Sequence, residues 1–269
     1  MSRILSEINI YPVKSLGGIF LRESEVTDRG LKFDRRWMII DEEEKFLTQR
    51  SHPQLALLKT KINHNKLILS HKTRDVSPLV IPINTKLTET AIVSVWDDLV
   101  SALIVGKYAD EWLSEVLGAK CRLVYMPDIS ERFVNRSYAL QNEIVSFADA
   151  FPFLLIGQSS LDDLNSRLPE KVEMNRFRPN FVFSGGEPFE EDNWKRFKIG
   201  NVLFEAVKPC SRCVTITTDQ ESGMRNEEPL KTLSTYRVKD NKVFFGMNLI
   251  HDGSGTLQIG DEIEVLEKK

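Results

Sequence analysis

Two cysteines bracket a serine and an arginine in Cys210-Ser211-Arg212-Cys213, directly after Pro209, and sulfur at this spacing supports four kinds of chemistry. A structural zinc site takes about four ligands. Cys121 and the four histidines (His52, His64, His71 and His251) supply no second half-site and share no metal-ligand spacing. A thioredoxin-like redox pair opens a helix in a βαβ setting, whereas the β-branched run Val214-Thr215-Ile216-Thr217-Thr218 predicts a strand. Two small buried hydrophobes are the plainest interpretation of free cysteines. The fourth is a single thiolate ligand for a soft metal, with Arg212 lowering the thiol's pKa. Spacing alone does not choose among them.

A set of cations at loop positions is the second chemical theme. Lys14-Ser15 precedes Gly17-Gly18, whose bare backbone would allow close approach to a ligand. Arg35-Arg36 sits between a turn and a strand, and Arg176-Phe177-Arg178-Pro179-Asn180 precedes another strand. With 36 basic and 39 acidic side chains the net charge is −3, so the balance is not that of a nucleic-acid binder. Converging cations in such a chain would suit an anion, since the arginine fork matches phosphate. Taken singly, each is equally a surface charge or the partner of Asp34 or Glu187.

The elements that must position these residues read mostly as β. Apolar alternation over Ile4–Val13 predicts a strand, with Pro12 at its end. Further strands are expected at 26–30, 37–41, 46–48, 55–62, 67–69, 79–83 and 92–96, with Asn63-His64-Asn65 as a hairpin tip. The first well-formed helix is Tyr108–Leu117, stopped by Gly118. A strand at 121–125 follows, then a polar stretch, 128–143, expected as a boundary or mobile loop. Beyond it come a strand at 151–156, a helix at 159–168 with Ser and Asp at capping-box spacing, and strands at 180–184, 201–207, 214–218 and 242–245. The closing alternation at 255–265 around a Gly-Asp turn is typical of small barrels. Trp37, Trp96, Trp112 and Trp194 are expected as core or interdomain packing residues sooner than as a substrate cage, and the acidic run Glu187–Asp192 as a solvated loop sooner than a partner-docking patch. No apolar run approaches the ~18 residues of a membrane helix. Three cysteines exclude a disulfide framework and fit a reducing compartment. The opening residues are not those of a signal peptide.

Taken together and in order, several segments resemble one family. Tyr11-Pro12-Val13-Lys14-Ser15 and Asp34-Arg35-Arg36-Trp37-Met38 are similar to the two motifs of the MOSC N-terminal β-barrel domain. Arg176–Asn180, Cys210–Cys213, Glu228-Pro229-Leu230 through Tyr236-Arg237, and Phe245-Gly246-Met247-Asn248 resemble those of the MOSC domain itself. The family includes the mitochondrial amidoxime-reducing component and its bacterial relatives. The fold class this implies is mainly β with a few helices (α+β). A MOSC-type N-terminal β-barrel domain at 1–125 would pack on a MOSC β-barrel domain at 126–269.

The resemblance further implies a molybdenum cofactor held between the domains, with Cys213 as the metal ligand. Lys14, Ser15, Arg35, Arg178, Asn180, Ser211 and Arg212 match positions that hold the pterin or its phosphate, and Asn248 aligns with a further contact. Such a cofactor is strongly anionic and calls for a local cationic pocket. Ala150-Phe151 is apolar where animal relatives carry hydroxyls that touch the cofactor. Asp149, just before it, should line the pocket, either as a proton donor or as the cap of a turn. The implied activity is reduction of N-hydroxylated compounds: amidoximes, hydroxylamines and N-hydroxylated bases. The alternative is a sulfur carrier or cofactor-handling protein using a persulfide on Cys213. The family also carries an association with pyridoxal phosphate binding. No targeting extension precedes Ile4 and no ferredoxin-like segment follows Lys269, so the expectation is a cytoplasmic protein, with no membrane or nucleic-acid partner. Its electrons would come from a separate flavin or iron–sulfur reductase.

Overall fold

Four sheets organise the chain, and the largest draws strands from both of its ends. The computed structural model describes residues 2–269. Nine strands form the main sheet, in the order Ile263–Lys268, Trp194–Ile199, Val202–Arg212, Lys242–Asp252, Phe153–Gly157, Phe181–Ser184, Ile4–Ile10 and Ile19–Leu21, with Val238–Lys239 added to Lys242–Asp252. One strand pair in it is parallel, Phe153–Gly157 with Phe181–Ser184. A parallel neighbour needs a crossover, and the helix Gln158–Arg167 supplies it. Trp37–Ile40, Arg122–Tyr125, Asp98–Ile104 and Thr90–Val95 make a four-stranded sheet. Leu58–Asn63, Lys66–His71 and Leu79–Pro82 make a three-stranded one. In the fourth, Gly255–Gln258 pairs with Glu23–Thr27, which turns into Gly30–Leu31. Strand is therefore the dominant structure and helix a minor one.

Hydrogen bonding crosses the expected boundary at 125/126. Ile4–Ile10 pairs antiparallel with Phe181–Ser184, and Glu23–Thr27 with Gly255–Gln258, so the first thirty or so residues are sewn into sheets built mainly by the second half. Alternation explains why: Leu5, Ile8 and Ile10 point into a core with Phe153, Phe181, Phe197 and Phe204. A second core gathers Trp37, Leu55, Leu67 and Leu69 against Ala109, Leu113, Val116 and Leu117 of the helix Lys107–Leu117. That helix ends where expected, on Gly118 at φ +67°, a left-handed stop without Cβ strain.

Several sequence expectations fail for identifiable reasons. Val214–Thr217 is a 3-10 turn, not a strand: Thr217 Oγ1 donates to the Val214 carbonyl and Thr218 N–H to that of Thr215, so local bonds replace a ladder. The strand before it is longer than expected, Val202–Arg212, and runs through Pro209. Pro53–Leu57 is likewise 3-10, and the strand begins only at Leu58. The helix Gln158–Arg167 starts before Ser159 and makes no side-chain cap of its own. Glu191 from the acidic run serves instead, accepting from Gly157 N–H at 3.2 Å and Ser160 Oγ at 3.0 Å. That run is no solvated loop: Glu191 is fully buried, Glu190 pairs with Arg3, and Asp192 with Arg237. The 128–143 stretch lacks regular structure, but Arg132 ties it down. Its guanidinium donates to the carbonyls of Ser146, Ala148 and Asp149 and pairs with Asp98.

Candidate functional site

The long strand Val202–Arg212 shows two register shifts against Lys242–Asp252, one between Ala206 and Lys208 and one between Pro209 and Ser211. Bulges re-aim side chains and tolerate proline; the second one contains Cys210. Beyond Arg212 the chain turns, and Cys213 heads the 3-10 turn with its Sγ 3.3 Å from Thr215 Oγ1. The crossover and the 3-10 turn Met174–Arg176 deliver Arg178 and Asn180 beside it. From the other end of the chain, the first strand delivers Lys14 and Ser15, and the turn after Leu31 delivers Arg35. Ser15, Arg35 and Arg178 all have left-handed backbone, at φ +70°, +49° and +56°. With Trp96 at φ +57°, four of the ten left-handed non-glycine residues among the described residues border one space, and such strain tends to cluster at functional sites.

That space is a cleft of about 530 Å³, and Lys14, Ser15, Arg35, Asp149, Arg178, Asn180, Ser211, Arg212, Cys213 and Asn248 all line it. Seven cationic side chains border it (Lys14, Arg35, Arg50, Arg176, Arg178, Lys208, Arg212) against one carboxylate, Asp149. Asp34 neutralises Arg35 from behind at 2.6 Å and Asp219 holds Arg176 at 2.9 Å. Arg178, Lys208 and Arg212 have no acidic partner among the described residues. Arg178 lies 4.2 Å from the centroid of the Tyr11 ring and Arg35 4.3 Å from it. Burial lowers the Arg178 pKa to about 10, and Arg35 adds to the effect. Arg212 donates Nε to the Phe245 carbonyl and Nη1 to that of Phe177, leaving Nη2 buried without a partner.

Lys14 Nζ is buried and donates to the Phe147 carbonyl at 2.7 Å and to Asp149 Oδ1 at 2.6 Å. Burial pulls its pKa down, opposed by Asp149. Its surroundings push the Asp149 carboxyl up, but Lys14, Arg50 and Arg35 together win and hold it far below the usual carboxylate range. Asp149 is therefore anionic at neutral pH and carries no proton of its own to give. Here it is the acceptor of the Lys14 hydrogen bond.

The MOSC N-terminal beta barrel domain matches residues 2–120 and the MOSC domain residues 142–264. The chain is 34% identical to mitochondrial amidoxime-reducing component 1 of Mus musculus over 97% of its length and 82% of the relative's, and equally to the Homo sapiens protein of that name. It belongs to the MOSC family. A molybdenum cofactor sulfurase of Oryza sativa is 32% identical over 92% of this chain, which there corresponds to 32% of the longer relative. Of the solved structures, YUAD of Bacillus subtilis spans 98% of this chain and 95% of its own at 10% identity, with a TM-score of 0.42, too distant to carry an argument.

Within this MOSC chain the residues expected from motifs do not share one role. Asn180 is 1% exposed and its amide is largely spent: Oδ1 accepts from Leu154 N–H and Arg35 Nη1, and Nδ2 donates to the Asn9 carbonyl. It bolts the wall together. Asn248 donates to the Lys208 carbonyl and also bonds Cys210, whose thiol pKa is raised by burial. Arg36 leaves the cleft for Met126 and Asp128. Gly17 and Gly18 do not open backbone to a ligand. A Cβ on Gly18 would fall 2.6 Å from the Tyr11 ring, and one on Gly17 3.0 Å from the Leu58 carbonyl, so both serve packing. Sequence reasoning missed Arg50, Trp96 and Lys208, which carry no motif. No helix in the structure is long and apolar enough to cross a membrane.

An anionic cofactor with a soft metal fits this wall on two observations: Arg212, whose Nη2 is buried without a partner, and the unpaired Arg178 both line the cleft that holds the half-buried thiol of Cys213.

Proposed function

We propose that this chain is a molybdenum-cofactor-dependent reductase of N-hydroxylated compounds (amidoximes, hydroxylamines and N-hydroxylated bases). It would work in the cytoplasm with electrons from a separate flavin or iron–sulfur protein. The observation that carries the proposal is the meeting of the Cys213 thiol, with Cys210 on the same wall, and seven cations in a single cleft of a net-acidic protein. When bound, the cofactor supplies the two-electron removal of oxygen from an N–OH group.

The chain's own residues do the rest. Cys213 Sγ offers the soft donor for the metal. Arg178 and Arg212, with Ser15 and Ser211, offer charge-assisted and neutral hydrogen bonds to phosphate and pterin. Arg35 holds Asn180 and the Arg178 carbonyl in place, at 3.2 and 3.3 Å. Two of the three Lys14 N–H groups are spent on Phe147 and Asp149, and the third is left for an anion or a substrate oxygen. Because burial loosens the Lys14 proton, its ammonium is the group that would give a proton to the departing oxygen, oriented by the Asp149 carboxylate 2.6 Å away and reprotonated afterwards from solvent. Ala150 and Phe151 add an apolar wall.

Protein from a host that makes the cofactor should contain molybdenum and pterin in stoichiometric amount and reduce benzamidoxime when supplied with chemical reductant. Cys213→Ala should abolish turnover and Cys210→Ala retain most of it; equal loss from both would indicate a dithiol mechanism instead. Protein lacking both metal and pterin would refute the proposal. The sulfurase relatives support one competitor, and a persulfide on Cys213 by mass spectrometry, without bound pterin, would establish it.

A further inference from the structure

Trp96 occupies a costly position. It opens the two-residue turn between Thr90–Val95 and Asp98–Ile104, and its φ is +57°. Hairpin turns give such a position to Gly, Asn or Asp, because a bulky L-residue there is strained. Its indole is nevertheless 44% exposed and lines the cleft. Arg50 lies 4.3 Å from the ring centroid, and Phe46 meets the ring edge-to-face at 5.1 Å. Arg50 in turn stands 3.9 Å from Asp149.

The segment beneath is rigid. Gln49, 1% exposed, donates to the Ser15 carbonyl at 2.8 Å, and its own carbonyl accepts from Arg225. An aromatic ring thus sits on the cleft against the Arg50 guanidinium and Phe46, with close to half of the residue's surface free, at a backbone position that a large side chain strains.

We infer that Trp96 on Arg50 is a stacking platform that selects N-hydroxylated substrates carrying a planar aromatic group over aliphatic ones. This rests on the reductase proposal and adds a determinant of specificity to it. A π-face accepts any flat ring without hydrogen-bond readout, so the preference is for shape and not for one compound.

The test uses two amidoximes with the same reacting group, benzamidoxime and acetamidoxime, on the cofactor-loaded enzyme. Trp96→Gly removes the ring and also relieves the backbone, so the fold should survive. The ratio of kcat/KM for benzamidoxime to that for acetamidoxime should fall about tenfold. Trp96→Phe should keep most of the ratio. Binding gives an independent readout: benzamidoxime should quench the fluorescence of the wild type, and Trp96→Phe and Trp96→Gly should lose that quenching. An unchanged ratio, or equal quenching without Trp96, overturns the platform. If the wild type reduces neither compound, the reductase proposal falls, and quenching still decides the platform on its own.

Discussion

Glu191 gives the structure a measurable pH signature. Its carboxyl is fully buried, accepts from Gly157 N–H and Ser160 Oγ, and has no ion-pair partner among the described residues. Burial raises its pKa from an ordinary 4.5 to about 7. The native state therefore keeps this proton to higher pH than the unfolded chain does. Its favourable effect is complete below pH ~4.5 and is lost as pH rises through about 7. At about 1.4 kcal/mol for each pH unit of separation, the full loss is about 3 kcal/mol. Glu191→Gln keeps the shape and cannot ionise. In urea unfolding at pH 5, 6, 7 and 8, wild-type stability should fall by about 2.5 kcal/mol more than that of the variant, since part of the loss already lies below pH 5 and other titrating groups cancel between the two proteins. Parallel curves would refute the reasoning. The site is the join between Phe153–Gly157 and the crossover helix, so the same ionisation loosens the element that delivers Arg178.

Two further outcomes follow from the cleft wall. Arg178→Met should weaken calorimetric binding of inorganic pyrophosphate to the cofactor-free protein about tenfold or more, because an unpaired guanidinium is removed, while Arg36→Met, outside the cleft, should change it little. Gly18→Ala should cost about 1–3 kcal/mol in chemical unfolding, since its Cβ falls 2.6 Å from the Tyr11 ring against which Arg35 and Arg178 lie.

Local signals in the sequence were read well where one residue type dictates the outcome. Gly118 ended a helix, and the apolar run at Trp37–Ile40 made a strand whose four residues are all buried. Motif order brought ten residues to one cleft, although no spacing argument linked Lys14 to Cys213. Competition between local and distant bonds was not legible. The β-branched residues after Cys213 favour a strand, yet their own hydroxyls and backbone close a tight turn. Three glutamates and aspartates in a row read as solvated, yet one is drawn beneath a helix start from thirty residues away. Nor did the pattern at Trp194–Ile199 announce a strand, although it forms a tight hairpin with Val202–Arg212: irregular pairing with Ile263–Lys268 buries Trp194, Phe197 and Ile199, which breaks strict alternation. Arg50 and Trp96 were invisible for a related reason: they meet the cleft through a turn, and turns carry no periodicity.

The strand Ile4–Ile10 finds one neighbour close by in the chain, the short Ile19–Leu21, while its other neighbour, Phe181–Ser184, is made much later. Until then Leu5, Ile8 and Ile10 have only that short strand beside them. Non-local pairing of this kind is slow to form, so the nascent chain must hold this strand partly open until Phe181–Ser184 exists. The cleft, whose two walls come from residues 14–96 and 148–248, takes shape only after both stretches have been made. Neither half expressed alone should contain it.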